Sequence, residues 1–131
     1  MLVHVADPVA FFEPLDATNE RCPNFFVDFS ARIGALGRQP YSARRFFLRH
    51  ADRILFGTDA GPDLESYRRA YRFLESDDEY FSYDGSEVPG QGRWQIYGLY
   101  LPDEVLEQVY FRNAERVILR RSNPHLPAPS P

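Results

Sequence analysis

Three short apolar runs, each bounded by a turn, constrain this chain more than any other feature. Leu2-Val3-His4-Val5 ends at Ala6-Asp7-Pro8, and Phe25-Phe26-Val27-Asp28-Phe29 follows the turn former Pro23-Asn24. Ile54-Leu55-Phe56-Gly57 stops at Thr58-Asp59-Ala60-Gly61-Pro62. Such runs have strand length, and their near-continuous apolar character suits strands covered on both faces, as in a parallel sheet. Segments with helical spacing lie between and after them. Ser42 to Arg53 sets Phe46, Phe47 and His50 against a basic face of Arg44, Arg45, Arg49 and Arg53. Asp63 to Leu74 puts Leu64, Tyr67, Tyr71 and Leu74 on one stripe. Leu101 to Arg120 is the longest predicted helix, with Pro102 in its first turn, acids at its start and arginines at its end. Its stripe is Val105, Leu106, Val109, Tyr110, Ala114, Val117 and Ile118. Glu75 to Gly98, rich in acids and glycine, reads as a long loop. The alternation of strand and helix predicts an α/β protein with parallel strands.

Composition narrows the function. At 131 residues there is room for one domain with a sizeable core. We expect it to occupy residues 1–121, with a Pro-rich, frayed tail over 122–131. The net charge of −4 argues against a nucleic-acid surface, and the arginines of the two middle helices read as solvated faces. All basic residues are arginine, which removes Schiff-base and P-loop lysine chemistry. Cys22 is alone, so neither an intrachain disulfide nor a multi-cysteine zinc site is available. It has no activating neighbour in sequence. No apolar stretch reaches 18 residues, and the first residues lack the basic start of a signal peptide, so we expect no membrane partner and a cytoplasmic protein.

In α/β folds functional residues gather at the carboxyl ends of parallel strands. His4 and Asp59 fall there, and Asp28 does too if alternation does not turn it outward. A strand-end imidazole can ligate a metal, and a carboxylate can ligate one or accept a proton from water. Plainer roles compete: a structural histidine bonded to a carbonyl, and an aspartate capping the following helix. Arg32, just past a strand end, is placed to receive an anionic substrate group. Tyr80-Phe81-Ser82-Tyr83, Trp94 and Tyr97 either line a substrate mouth or pack the long loop onto the helices.

The wording of the chain adds a resemblance. His4-Val5-Ala6-Asp7-Pro8 with Phe11-Phe12-Glu13-Pro14 resembles the fifth-strand region of amidohydrolase-related proteins. Pro23 to Ile33 is similar to their seventh strand and its loop, and Asp52-Arg53-Ile54-Leu55-Phe56-Gly57-Thr58-Asp59 to their eighth. Asn113-Ala114-Glu115-Arg116 matches an element of their terminal helix. The resemblance implies a (β/α)8 barrel, present here in part, with a divalent metal, commonly zinc, at the strand ends. It implies hydrolysis of a small-molecule substrate, or decarboxylation, with His4 as a metal ligand and Asp59 as both ligand and water-activating base. The family's first-strand His-x-His pair and its sixth-strand histidine have no counterpart in these residues. The metal is therefore expected to be weakly held or absent, and the chain incomplete as a catalyst. A second expectation is a non-catalytic α/β module forming a homo-oligomer through an open sheet edge.

Overall fold

The computed structural model describes residues 2–4 and 23–119. Three of the predicted segments are strands: β1 (Leu2–His4), β2 (Phe26–Asp28) and β3 (Ile54–Leu55). They form one sheet in the order β1-β2-β3, parallel throughout. The parallel sheet predicted from the unbroken apolar runs is thus present, with each strand shorter than its run.

β2 leads through Ser30-Ala31 into a short helix, α1 (Ile33–Leu36), followed by α2 (Pro40–Arg49) and a 3₁₀ turn (Ala51–Arg53) that feeds β3. The helix predicted over Ser42–Arg53 therefore starts earlier, with Pro40 in its first turn, and tightens before the strand. Its predicted inner face is correct: Phe46, Phe47 and His50 are all buried.

After β3 the chain enters α3 (Leu64–Glu75). Here the predicted stripe is rotated. The buried residues are Ala70, Phe73 and Leu74, while Leu64 and Tyr71 are exposed. Phe56 is the cause, because its ring stacks on Tyr67 and Tyr71 at centroid separations of 5.9 and 5.6 Å and draws those tyrosines to the side of the sheet.

The long stretch after α3 is pinned rather than loose. Phe81 and Ile96 exchange both main-chain hydrogen bonds across an antiparallel bridge, at 3.0 and 2.9 Å. Leu99 N–H donates to the Phe73 carbonyl at 2.7 Å. The aromatic residues of this stretch divide: Phe81 and Tyr83 join the core, and Trp94 stacks on Tyr83 and donates its indole N–H to the Gly34 carbonyl at 2.8 Å. Loop packing is therefore their main role, with Tyr80 left exposed.

The last predicted helix is three pieces in sequence: α4 (Asp103–Glu107), a π turn (Gln108–Arg112) and α5 (Asn113–Val117). π turns insert an extra residue into a helix where something other than the regular ladder uses the backbone. Here the Val109 carbonyl accepts the N–H of Phe56 at 3.1 Å, so the helix takes up a donor just beyond β3. Asn113 completes the contact. It is wholly buried, and its amide Nδ2 donates to the carbonyls of Ala51 and Ile54 at 2.7 and 2.8 Å. The outer edge of β3 is thus covered by the helix.

One core results. Phe25, Val27, Phe29 and Ile54 from the sheet segments meet Phe47 of α2, Phe73 and Leu74 of α3, Ile96 and Leu99 of the pinned loop, and Val109. Phe29 packs edge-on against both Phe47 and Phe56, the geometry aromatic quadrupoles prefer.

Candidate functional site

Because the three strands run in parallel, their carboxyl ends share one rim. The register pairs His4 with Asp28 and Asp28 with Leu55. β1 ends at His4, as expected, and its main chain is level with Asp28, one strand away. Asp59 lies four residues past Leu55 on the loop after β3. With adjacent strands ~4.8 Å apart, β1 and β3 are roughly 10 Å apart across β2. A cation shared by His4 and Asp59 would therefore have to sit over the β2 end.

Asp59 is exposed and has φ = 60°, a left-handed conformation that aspartate tolerates better than most residues. It does not cap the following helix. That role belongs to Asp63, whose carboxylate accepts the Ser66 N–H at 2.9 Å, the Ser66 hydroxyl at 2.6 Å and the Glu65 N–H at 3.4 Å. The Ser66 hydroxyl and then its amide hold the Asp63 carboxyl below the usual carboxylate range. The plainer of the two roles considered for Asp59 is accordingly taken by another residue.

Asp28 accepts the N–H of Ser30 at 3.0 Å through Oδ1, which fixes the turn leaving β2. That turn presses on β3: a Cβ added at Gly57 would overlap the Ser30 hydroxyl. Glycine at 57 lets the two rim loops touch.

Arg32 opens α1, its carbonyl accepting the N–H groups of Ala35 and Leu36 at 3.0 and 2.8 Å. Its side-chain Nε is buried and has no hydrogen-bond partner. A buried donor without an acceptor is costly to the fold.

Next to the rim lies a cavity of about 260 Å³. Its floor includes Ala31, Gly57 and Thr58, one wall is Ser66, Arg69 and Ala70 of α3, and its far wall is the Tyr83–Gln91 stretch. Neither Asp59 nor Arg32 is among its lining residues. Sequence reasoning missed the part played by Arg69 and Asp84 here, because the arginines of α3 read as one solvated face. Arg68 and Arg72 are exposed, as that reading expects, and pair with Glu65 and Asp78 at the surface, while the half-buried Arg44 of α2 donates to the Leu99 and Tyr100 carbonyls.

The metal that the resemblance implies can be tested against these donors. Catalytic zinc takes three protein ligands plus water. Among the described residues no group of three His, Cys, Asp or Glu side chains is placed to hold an ion. His50 is buried against Phe46 ahead of β3, at the strand's opposite end. Cys22 and His125 lie outside the described residues. His4 and Asp59 alone do not fit a complete zinc site.

The fold and the rim define an α/β protein with a parallel sheet, whose candidate functional residues sit where the strands end. A family model described as Amidohydrolase matches residues 3–119, which is most of the 131-residue chain, and the chain belongs to that family. No curated protein and no solved structure matches it. Among the described residues, no helix is long and apolar enough to cross a membrane.

Proposed function

We infer that β1, β2 and β3 correspond to the fifth, seventh and eighth strands of an amidohydrolase (β/α)8 barrel, and that the chain's chemistry is hydrolysis of a small molecule at their common rim. The observation that carries this reading is the parallel register bringing the end of β1, Asp28 and the loop bearing Asp59 to one end of the sheet. In this reading Asp59 is the base. Its carboxylate is open to solvent and not spent on a helix cap, so it is free to take a proton from an attacking water. Arg32 stays in this reading as the contact for an anionic group of the substrate by its place just past the end of β2. A divalent metal would find His4 and Asp59 as its donors and would be held weakly, and no step is assigned to it.

The test is hydrolysis of activated aryl esters and aryl amides by the full chain and by Asp59→Asn. General-base loss lowers turnover by about 10²–10⁴-fold. Equal rates for both proteins would overturn the assignment.

The two-donor count favours a second reading, an amidohydrolase-family chain that binds without turning over. Self-association through a sheet edge belongs to this reading. With the β3 edge covered by Asn113 and Val109, it would use β1. Light scattering tests that self-association, since a chain that stays monomeric at high concentration does not pair through β1.

A further inference from the structure

The hydrolytic reading leaves the cavity between α3 and the Tyr83–Gln91 stretch without a role, and its two charged side chains are unusual. Arg69 has a side chain only 25% exposed, yet its guanidinium makes one protein hydrogen bond, from Nη2 to the Ser66 hydroxyl at 3.2 Å. The nearest carboxylate, Asp63, is 3.8 Å away, too far for a hydrogen bond. A guanidinium carries five N–H donors in a fixed fork. None of those on Arg69 is sealed from solvent without a partner, and Arg69 lines the cavity.

Asp84 lines the same cavity, and no ion pair joins it to Arg69. It is held in place by its own loop: Oδ1 accepts the Ser86 N–H at 2.8 Å and Oδ2 the Gly90 N–H at 3.0 Å. Burial pushes this carboxyl up, but those two amides, the Ser86 hydroxyl and the charge of Arg69 together bring it below the usual range. It is therefore ionised at neutral pH with acceptor capacity left over, since a carboxylate offers about four lone-pair sites. Ile33, Ala70 and Tyr83 add apolar lining to the same cavity.

A cavity holding one fixed cation and one fixed anion disfavours a simple anion, which meets Asp84, and a simple cation, which meets Arg69. A molecule carrying both charges satisfies both. At about 260 Å³ the space is just below the range used by drug-sized ligands and suits something of amino-acid size. We propose that this cavity binds a small zwitterion, an α-amino acid with an apolar side chain, its carboxylate on Arg69 and its ammonium on Asp84. The proposal does not depend on Asp59 or on hydrolysis.

Isothermal titration of the full chain with three probes tests it: L-leucine, L-leucinamide, which lacks the carboxylate, and 4-methylpentanoate, which lacks the ammonium. Losing one charge-assisted contact is expected to weaken binding about tenfold. Leucine should bind at least tenfold tighter than either analogue, and Arg69→Gln should bring leucine to the level of leucinamide. Equal binding of the three probes, or no leucine binding as its solubility limit is approached, would overturn the proposal. The probe comparison on the unaltered chain decides the matter even if Arg69→Gln does not fold.

Discussion

Removing the Asn113 amide is the sharpest test of how the β3 edge is held. Its two hydrogen bonds, to the Ala51 and Ile54 carbonyls at 2.7 and 2.8 Å, are made at a residue with no solvent exposure. Each such bond contributes about 0.5–1.5 kcal/mol net, and each carbonyl left buried without a donor costs about 1–3 kcal/mol. The Ala51 carbonyl belongs to a half-buried residue that can recruit water, whereas Ile54 is wholly buried. Asn113→Ala should therefore cost about 2–4 kcal/mol. Asn113→Leu keeps similar branching without a donor and separates packing from hydrogen bonding; it should recover little of the loss. Urea unfolding followed by the fluorescence of Trp94, the single tryptophan, reads this directly. With a slope of about 2 kcal/mol per molar, the midpoint should fall by roughly 1–2 M. A stability for Asn113→Leu within about 0.5 kcal/mol of the parent would show that these hydrogen bonds do not hold the edge.

Other expectations are as specific. Asp63→Ala should destabilise the chain at neutral pH; because the folded carboxyl titrates below its unfolded value, the difference should be full above that value and vanish as pH falls through the folded one, which acid titrations of both proteins would show. Gly37→Ala should cost about 1–3 kcal/mol by overpacking, since the new Cβ would lie 2.5 Å from the Ile96 Cβ; a neutral result in thermal melts would mean that α1 and Ile96 are not in contact. The Tyr110 hydroxyl donates to Glu75 at 2.7 Å and is pushed well above the ordinary tyrosine range, first by burial and then by that carboxylate. Its contribution to stability is complete below pH ~10 and fades above it. In an alkaline absorbance titration Tyr110→Phe should leave the early ionisation of the exposed tyrosines unchanged and remove signal only from the late phase.

Much of the sheet was legible because burial on both faces leaves an unmistakable mark: Val27 and Ile54, both within apolar runs, are wholly buried and register partners. The inner face of α2 was equally plain from Phe46 and Phe47. The inner face of α3 was not, because periodicity counts Tyr67 and Tyr71 as core residues while a neighbouring ring, Phe56, offered them a stacking position at the sheet's flank. Asn113 illustrates a different failure. Hydrophobic spacing passes over a polar residue, yet this one is as buried as any side chain in the core because two backbone carbonyls need its donors. Only the resemblance singled it out. For the rim, residue type and position at strand ends pointed to His4, Asp59 and Arg32. Arg69 and Asp84 line one cavity from positions 15 residues apart in the chain, which no local pattern encodes.

In the proposed reading Asp59 is the base of this rim, and His4 and Asp59 supply two of the donors a catalytic metal needs. Zinc titration of the metal-free chain, with bound metal counted by elemental analysis, checks both points. Zinc should bind weakly and below one ion per chain, and more weakly still to Asp59→Ala. Tight zinc at one ion per monomer would overturn the reading.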